Sequence, residues 1–170
     1  NYFKDEIQIF EQMCFYEIIG ARITQKPYFD FDIPLTEYYG EDEILDPLLK
    51  GIKLKKNTDK FSLTEEKEEE AKSLFVERLK IVLQCIKDKD IMICNSHGPK
   101  KRSYHIIVDR WAYPNNSENR ALFLEIMKDF PEKYKSALDH GLFKSNQLFR
   151  IFSMHKYGTT REKKIDYTST

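Results

Sequence analysis

The sequence has few cysteines, and none of them is spaced as a metal ligand would be. Cys14, Cys85 and Cys94 are the three cysteines in 170 residues, and neither a C-x-x-C pair nor a Cys/His ligand spacing occurs. A zinc site within these residues is therefore not expected. An odd number of widely separated thiols is typical of an intracellular protein whose cysteines stay reduced.

The chain also lacks a long apolar run, an internal repeat and a linker-like segment. No stretch approaches the roughly twenty apolar residues that span a bilayer, so we expect no membrane partner. A chain of 170 residues suits one sizeable core, and we predict a single domain over 1–170. Because the first residue is Asn rather than Met, we expect this domain to be part of a longer polypeptide.

The net charge of zero hides an asymmetry between the two halves of the chain. Residues 1–90 contain 20 Asp and Glu against 14 Lys and Arg, whereas residues 91–170 contain 8 against 14. The basic half includes Arg161, Lys163 and Lys164. Such a half suits a phosphate-rich partner, although an ordinary solvated basic surface explains the charge equally well.

Apolar spacing, capping residues and turn residues predict alternating helices and strands. In chain order, these are a helix over 1–20, a strand over 27–33, a long connection over 40–60 with a short helix near 44–49, a helix capped by Thr64 and reaching Ile86, strands over 91–96 and 103–110, helices over 117–129 and from Pro131 to Leu138, and a last strand over 148–152. This order favours an α/β (α+β) domain around a mixed or antiparallel sheet.

The stretch "KPYFDFDIP" (26–34) places two acids on one face of the first predicted strand. Successive side chains of a strand point to opposite faces, so Phe29, Phe31 and Ile33 face a core while Asp30 and Asp32 share the other face. Two carboxylates held that close raise each other's pKa unless a cation lies between them. The pattern therefore predicts a positively charged partner for the two carboxylates.

Two further stretches carry polar groups at regular spacing. In "KKRSYHIIV" (100–108), alternation puts Lys101, Ser103 and His105 on one strand face, where all three can donate to phosphate oxygens. In "LDHGLFKSNQLFRIFSMHK" (138–156), Asp139 is either a turn cap or a third carboxylate. Likewise, Arg150 is either an edge-strand charge or, with Lys156, a phosphate ligand.

In chain order, D-x-D, K-x-S-x-H and D-x-G-x-F…N…F-R…K resemble the three motifs of the archaeo-eukaryotic primase superfamily. The closest resemblance is to primase-polymerases and to the primase domains of large DNA virus primase-helicases, and it runs over residues 22–156. It implies a catalytic core with an RRM-like sheet packed beside a smaller αβ unit. It also implies template-directed nucleotidyl transfer that starts or extends primers on single-stranded DNA.

The resemblance assigns roles to individual residues. Asp30, Asp32 and Asp139 would be catalytic and would bind two divalent ions, Mg²⁺ or Mn²⁺. The groups that would contact or neutralise the triphosphate of the incoming (d)NTP are Lys101, Ser103, His105, Asn146, Arg150 and Lys156. A replicative helicase, fused or associated, is implied as a partner, and the site of DNA replication inside the cell as the location.

Two departures and two rivals qualify this interpretation. The second acid is Asp where many primase-polymerases have Glu, and the zinc module of many members is absent. A two-metal nuclease is one alternative, but it predicts a lysine beside the second acid in sequence, which "DFDIP" lacks. A non-catalytic nucleic-acid-binding domain with structural acids is the other.

Overall fold

The structure is a computed structural model of the whole chain, and it describes residues 14–35, 37–39, 54–56, 65–98, 101–156 and 161–166. Within those residues it contains eight strands and three α-helices. In chain order they are β1 (Tyr16–Gly20), β2 (Tyr28–Pro34), β3 (Glu37–Tyr39), β4 (Leu54–Lys56), α1 (Glu65–Val82), β5 (Ile91–Asn95), β6 (Lys101–Val108), α2 (Asn116–Lys128), α3 (Glu132–Lys135), β7 (Asn146–Arg150) and β8 (Lys164–Ile165).

The central sheet is antiparallel, with strand order β2-β6-β5-β8. A further segment continues it beyond β2, because Asp32 N donates to Ala137 O at 2.7 Å and Asp139 N donates to Asp30 O at 3.0 Å. The succession β2-α1-β5-β6-α2-(137–139) therefore follows the β-α-β-β-α-β order of ferredoxin-like domains. The fold class is α+β, as the sequence predicted.

One face of this sheet is packed against helices α1 and α2. Phe29 and Phe31 of β2 are fully buried, and the ring centroids of Phe29 and Phe31 lie 5.2 and 5.9 Å from that of Phe75 on α1. Phe123 on α2 stacks against Phe29 at 6.5 Å. The expected alternation of β2 is confirmed, since these aromatic side chains leave the two intervening aspartates on the other face.

That other face is partly covered by a two-stranded sheet of β1 and β7. Five residues of each strand pair, from Tyr16 with Arg150 to Gly20 with Asn146. Ile19 and Phe149 pack against Tyr28 of β2 in a small second core that also contains Leu142. This packing explains why His105 and Ser103, although polar, are buried.

The structure corrects three sequence predictions. Residues 16–20 form strand β1, not the end of a helix, because pairing with the distant β7 overrides a mixed apolar pattern. The connection over 40–60 contains β4, which pairs with β3. The strand near 148–152 is not the last, because β8 follows it and pairs with β5.

The other predicted elements occur within a few residues of the predicted bounds. Thr64, the short helix near 44–49 and the first thirteen residues lie outside the described residues. In the part of the chain that the structure describes, no helix combines the length and the apolar character needed to cross a bilayer.

Candidate active site

Asp30 lies at the centre of a row of side chains that crosses the sheet. On one side its partner in the ladder is His105 of β6, whose own partner on β5 is Cys94. On the other side, the bridge between Phe31 and Leu138 puts Asp139 opposite Asp30, so their Cα atoms lie about 5.5 Å apart. Asp139 lies 109 residues after Asp30 in sequence, and this pairing brings both side chains to the same face of the sheet.

Asp32 and the start of β6 form the next row. Ser103 is the ladder partner of Asp32, and Lys101 lies two residues earlier on the same strand face. The ammonium of Lys101 donates to Oδ2 of Asp32 in a tight ion pair, in which each side chain is about one-third exposed. In the metal-free protein, Lys101 is therefore a positively charged partner of the kind that the D-x-D pattern predicts, and it offsets the charge of Asp32.

Asp30 has a strongly perturbed carboxyl group. Burial and then the neighbouring charge of Asp32 raise its pKa to about 7, with Asp139 adding to the rise. Lys101 and Lys163 act in the opposite direction but do not compensate. The predicted mutual repulsion of the acids is confirmed for Asp30, and it is the property of a carboxylate that gains from a bound cation.

Two of the acids carry oxygen atoms without a partner among the described residues. Oδ1 of Asp30 and Oδ1 of Asp32 are buried and accept no hydrogen bond from that part of the chain. Oδ1 of Asp139 accepts from Gly141 N at 2.7 Å, so this residue also caps a turn. A Cβ at position 141 would lie 3.0 Å from the same oxygen, so a larger residue there would require the Asp139 carboxylate to shift by a few tenths of an ångström.

These oxygens suit Mg²⁺ or Mn²⁺, which prefer carboxylate ligands. In the described residues, however, no three His, Cys, Asp or Glu side chains already stand as a complete metal-binding group. Lys101 pairs with Asp32, and Gly141 N donates to Asp139. Both contacts would have to give way before the three carboxylates could share ions, although the chemistry of these oxygen donors suits Mg²⁺ or Mn²⁺.

His105 is neutral in this environment. Burial, followed by the charges of Lys163 and Arg150, lowers its pKa to about 2. Its Nε2 lies 3.7 Å from Oδ1 of Asp30, beyond hydrogen-bonding distance, and Nδ1 is buried without a partner. A neutral imidazole with unused nitrogen atoms can donate one hydrogen bond to a ligand but brings no positive charge.

Arg150 lies deeper than the sequence suggested. Its side chain is buried, and its guanidinium donates to Arg161 O and to Oγ of Ser96, each at 2.7 Å. The guanidinium of Arg161 in turn donates to Ser96 O. Arg150 thus ties the loop after β5 to the segment before β8, which is a structural task that can coexist with a role in phosphate binding.

Asn146 and Lys156 stand outside the two rows. Asn146 is exposed at the start of β7, four residues from Arg150, which is roughly 13 Å along a strand. Lys156 is exposed and its backbone N donates to Arg161 O at 2.9 Å. The structure therefore gathers the three acids, Lys101, Ser103 and His105 on one face, and leaves the other two candidates in exposed positions.

Sequence reasoning missed Lys163 and Ser96 as members of this region. Lys163 is 2% exposed, and burial lowers its pKa to about 8. Its position next to Arg150, Cys94 and Asp30 depends on how β8 pairs with β5. The excess of basic residues after position 90 was the only available signal, and it did not distinguish Lys163 from exposed neighbours such as Lys164.

The chain is similar over most of its length to proteins of African swine fever virus. It is 29% identical over 163 residues to the "Putative helicase/primase complex protein" of isolate Pig/Kenya/KEN-50/1950, and 27% identical over 173 residues to the protein of that name from strain Badajoz 1971 Vero-adapted. A third, from isolate Tick/Malawi/Lil 20-1/1983, is 27% identical over 156 residues.

In each case the match covers 92% of this chain but only 14–15% of the relative. This chain thus resembles one segment of a viral helicase/primase complex protein. No protein-family model matches it. The similarity supports a viral, primase-related protein.

Proposed function

We propose that this chain is the catalytic domain of a DNA primase or primase-polymerase, which joins nucleotides on a single-stranded DNA template. One observation carries the proposal: Asp30, Asp32 and Asp139 come from two distant parts of the sequence and share one sheet face, and Oδ1 of Asp30 and of Asp32 is buried without a hydrogen-bond partner among the described residues. Structural acids would be expected to have their partners in the protein.

The same face offers the groups that a polyphosphate needs. Lys101 and Ser103 lie one row from Asp30, and His105 is its direct neighbour in the ladder. We propose that the three acids hold two divalent ions, Mg²⁺ or Mn²⁺, which when bound supply Lewis acidity toward the attacking hydroxyl and the departing pyrophosphate. Ser103 and neutral His105 would donate hydrogen bonds that orient the triphosphate.

Lys101 would change partners when substrate binds. In the metal-free protein it pairs with Asp32, and a cation bound to that carboxylate would release the ammonium. The freed side chain, about one-third exposed, can then neutralise a phosphate oxygen. Arg150 and Lys156 would add positive charge from the side of β7, and Asn146 remains the least supported of the proposed ligands.

The name of the viral relatives joins a helicase and a primase, which supports the wider setting that we propose. The domain would act beside a replicative helicase, on template, primer and (d)NTPs, at a site of viral DNA replication. The helicase would hold the template and raise its effective concentration near the acids.

A two-metal nuclease is the second candidate, and one observation favours it. Such an enzyme needs a lysine beside its acids. The sequence around Asp32 has none, but β6 brings Lys101 into contact with it. The two functions differ in what they require: a polymerase needs nucleotides and lengthens a primer, whereas a nuclease shortens a strand without them.

Labelled primer–template and Mn²⁺, with and without nucleotides, distinguish these outcomes, and a template without primer tests initiation. We expect extension that depends on nucleotides and is abolished by Asp32→Asn. Asp109→Asn is the matched control, because Asp109 is an exposed aspartate just beyond β6. Shortening of the strand would favour the nuclease, and extension by Asp32→Asn at the wild-type rate would refute the catalytic role of the acids.

A further inference from the structure

Lys163 is a buried lysine that forms no ion pair with Asp or Glu among the described residues. Its ammonium donates to Arg150 O at 2.5 Å and lies 4.0 Å from the centroid of the Phe149 ring. A buried cation is costly without a paired carboxylate, so this position would gain from a bound anion.

Two more buried cations belong to the same segments. Arg150 and Arg161 are 6% and 7% exposed, and both donate to Ser96. The acceptors of the Arg150 guanidinium, a carbonyl and a hydroxyl oxygen, are uncharged. Lys163 and Arg150, joined through the Arg150 carbonyl, therefore bring two buried positive charges to β7, which covers the sheet face of the acids.

Lys163 lies close to the row of side chains that contains Asp30. Its ammonium lies over the Phe149 ring, the Phe149 ring centroid is 4.6 Å from that of His105, and His105 is the ladder partner of Asp30. Lys163 lowers the pKa of Asp30, and Asp30 raises the pKa of Lys163 in return. With its own pKa near 8, Lys163 is mostly charged at neutral pH. The two groups thus interact through a poorly screened interior, where Coulomb effects are larger than at the surface.

We propose that Lys163 is a positioning residue of the nucleotide site, which favours the incoming polyphosphate through its buried charge without contacting it. This inference rests on the proposed function, and it extends that function to a residue that no motif contains. Lys163 and Arg150 would make the surroundings of Asp30 less negative before any substrate arrives. They would then offset the excess negative charge that a triphosphate brings.

A fixed positive charge next to a metal site has two effects of opposite sign. It repels a divalent cation when no nucleotide is present, and it attracts the nucleotide polyphosphate. Removing the charge should therefore tighten Mn²⁺ binding to the free protein and weaken nucleotide binding. A residue that only supports the fold would, when lost, weaken both.

The experiment compares Lys163→Met and Lys163→Gln with wild type at pH 7. Lys163→Gln keeps an N–H donor for the Arg150 carbonyl, so this variant can be used for the same measurements if Lys163→Met destabilises the protein. Mn²⁺ affinity is read from the paramagnetic resonance of free Mn²⁺, and nucleotide affinity from calorimetry with a non-hydrolysable nucleoside triphosphate. We expect Mn²⁺ binding to become roughly three- to tenfold tighter and nucleotide binding weaker by a similar factor.

Lys164→Met is the matched control, because Lys164 is adjacent, exposed and paired with Glu162; it should change neither affinity. Parallel loss of both affinities in the Lys163 variants, or no change in either, would overturn the inference. Asp30→Asn separates this result from the proposed function. If wild type shows no Mn²⁺ binding that depends on Asp30, the metal site itself is wrong, and the inference falls with it.

Discussion

The two faces of the central sheet differ although they are built from the same strands. On the helix-covered face of β2, Phe29, Phe31 and Ile33 are fully buried and their rings or methyl groups contact other apolar side chains. On the opposite face, Asp30 and Asp32 each keep one buried oxygen atom without a hydrogen-bond partner among the described residues. Neighbouring positions of one strand thus hold a side chain whose burial stabilises the fold and a side chain whose burial lowers stability.

The energetic difference between the faces follows from what each side chain loses on burial. An aromatic ring leaves water at a gain and finds close neighbours, whereas a carboxylate loses solvation that only a cation or hydrogen-bond donor can replace. The comparison therefore predicts which substitutions should unfold the protein and which should remove only the proposed activity.

The largest effect is expected on the helix-covered face. Phe31→Ala removes a fully buried ring that lies between Phe75 and Phe130. It should lower the free energy of unfolding by about 3–5 kcal/mol. Urea unfolding measures this, and a loss below about 1 kcal/mol would show that this face is not the main core.

Asp30→Asn, one residue away, should abolish the proposed activity without unfolding the protein. Loss of one carboxylate of the proposed metal site should reduce nucleotide incorporation on the order of a thousandfold, or about 4 kcal/mol of transition-state stabilisation. Thermal unfolding without metal should remain at or slightly above the wild-type temperature, since a repulsive charge is removed. A variant that incorporates nucleotides normally would contradict the assignment.

Lys72→Met tests a charged exception on the helix-covered side. Lys72 of α1 and Asp166, after β8, form an ion pair at 3.0 Å with both side chains buried. Removing Lys72 should cost about 3 kcal/mol, because the buried carboxylate of Asp166 loses the ammonium that pairs with it at 3.0 Å. The double variant Lys72→Met/Asp166→Leu should recover part of that loss, and equal stability of single and double variants would argue against coupling.

The pH dependence of stability should distinguish Asp30 from an ordinary surface acid. Its pKa of about 7 in the folded protein lies above the roughly 3.9 of an unfolded Asp. Between these values the folded state binds more protons than the unfolded state, so the contribution of Asp30 to stability falls as pH rises from about 4 to 7. Below and above that window the contribution is constant.

The difference in unfolding free energy between Asp30→Asn and wild type isolates this group. Without metal, the variant should gain on wild type from about pH 4 to 7 and keep a constant advantage above. His105, with its pKa lowered to about 2, gives the opposite slope but is present in both proteins and cancels from the difference. A pH-independent difference would mean that Asp30 is not held beside other carboxylates.

The smallest effect is expected at the border of the sheet. Lys26 pairs with Asp109 at 2.6 Å, but both side chains are more than half exposed. Lys26→Met should change stability by less than about 1 kcal/mol, because water screens such pairs. A larger loss would show that this border contributes more to the fold than its exposure suggests.

Local pattern was sufficient for the features that depend on near neighbours in sequence. The alternation of "YFDFDIP" assigned the faces of β2, and helical spacing after Thr64 gave α1 its face toward the core. Residues 16–20 show the limit. The spacing of their apolar residues is compatible with both a helix and a strand. These residues form a strand because they pair with β7, which lies far along the chain.

What the sequence by itself determined is the chemical character of each strand face, because alternation within a strand is a local property of the backbone. Only the tertiary structure decided which of these faces meet. The bridge beside β2 brings Asp139 to Asp30, the register of β6 brings Lys101 to Asp32, and β8 buries Lys163 instead of Lys164. Each of these contacts depends on the register of a strand, which is set by packing over the whole sheet. A shift of one residue in that register would turn the side chain to the opposite face and break the contact.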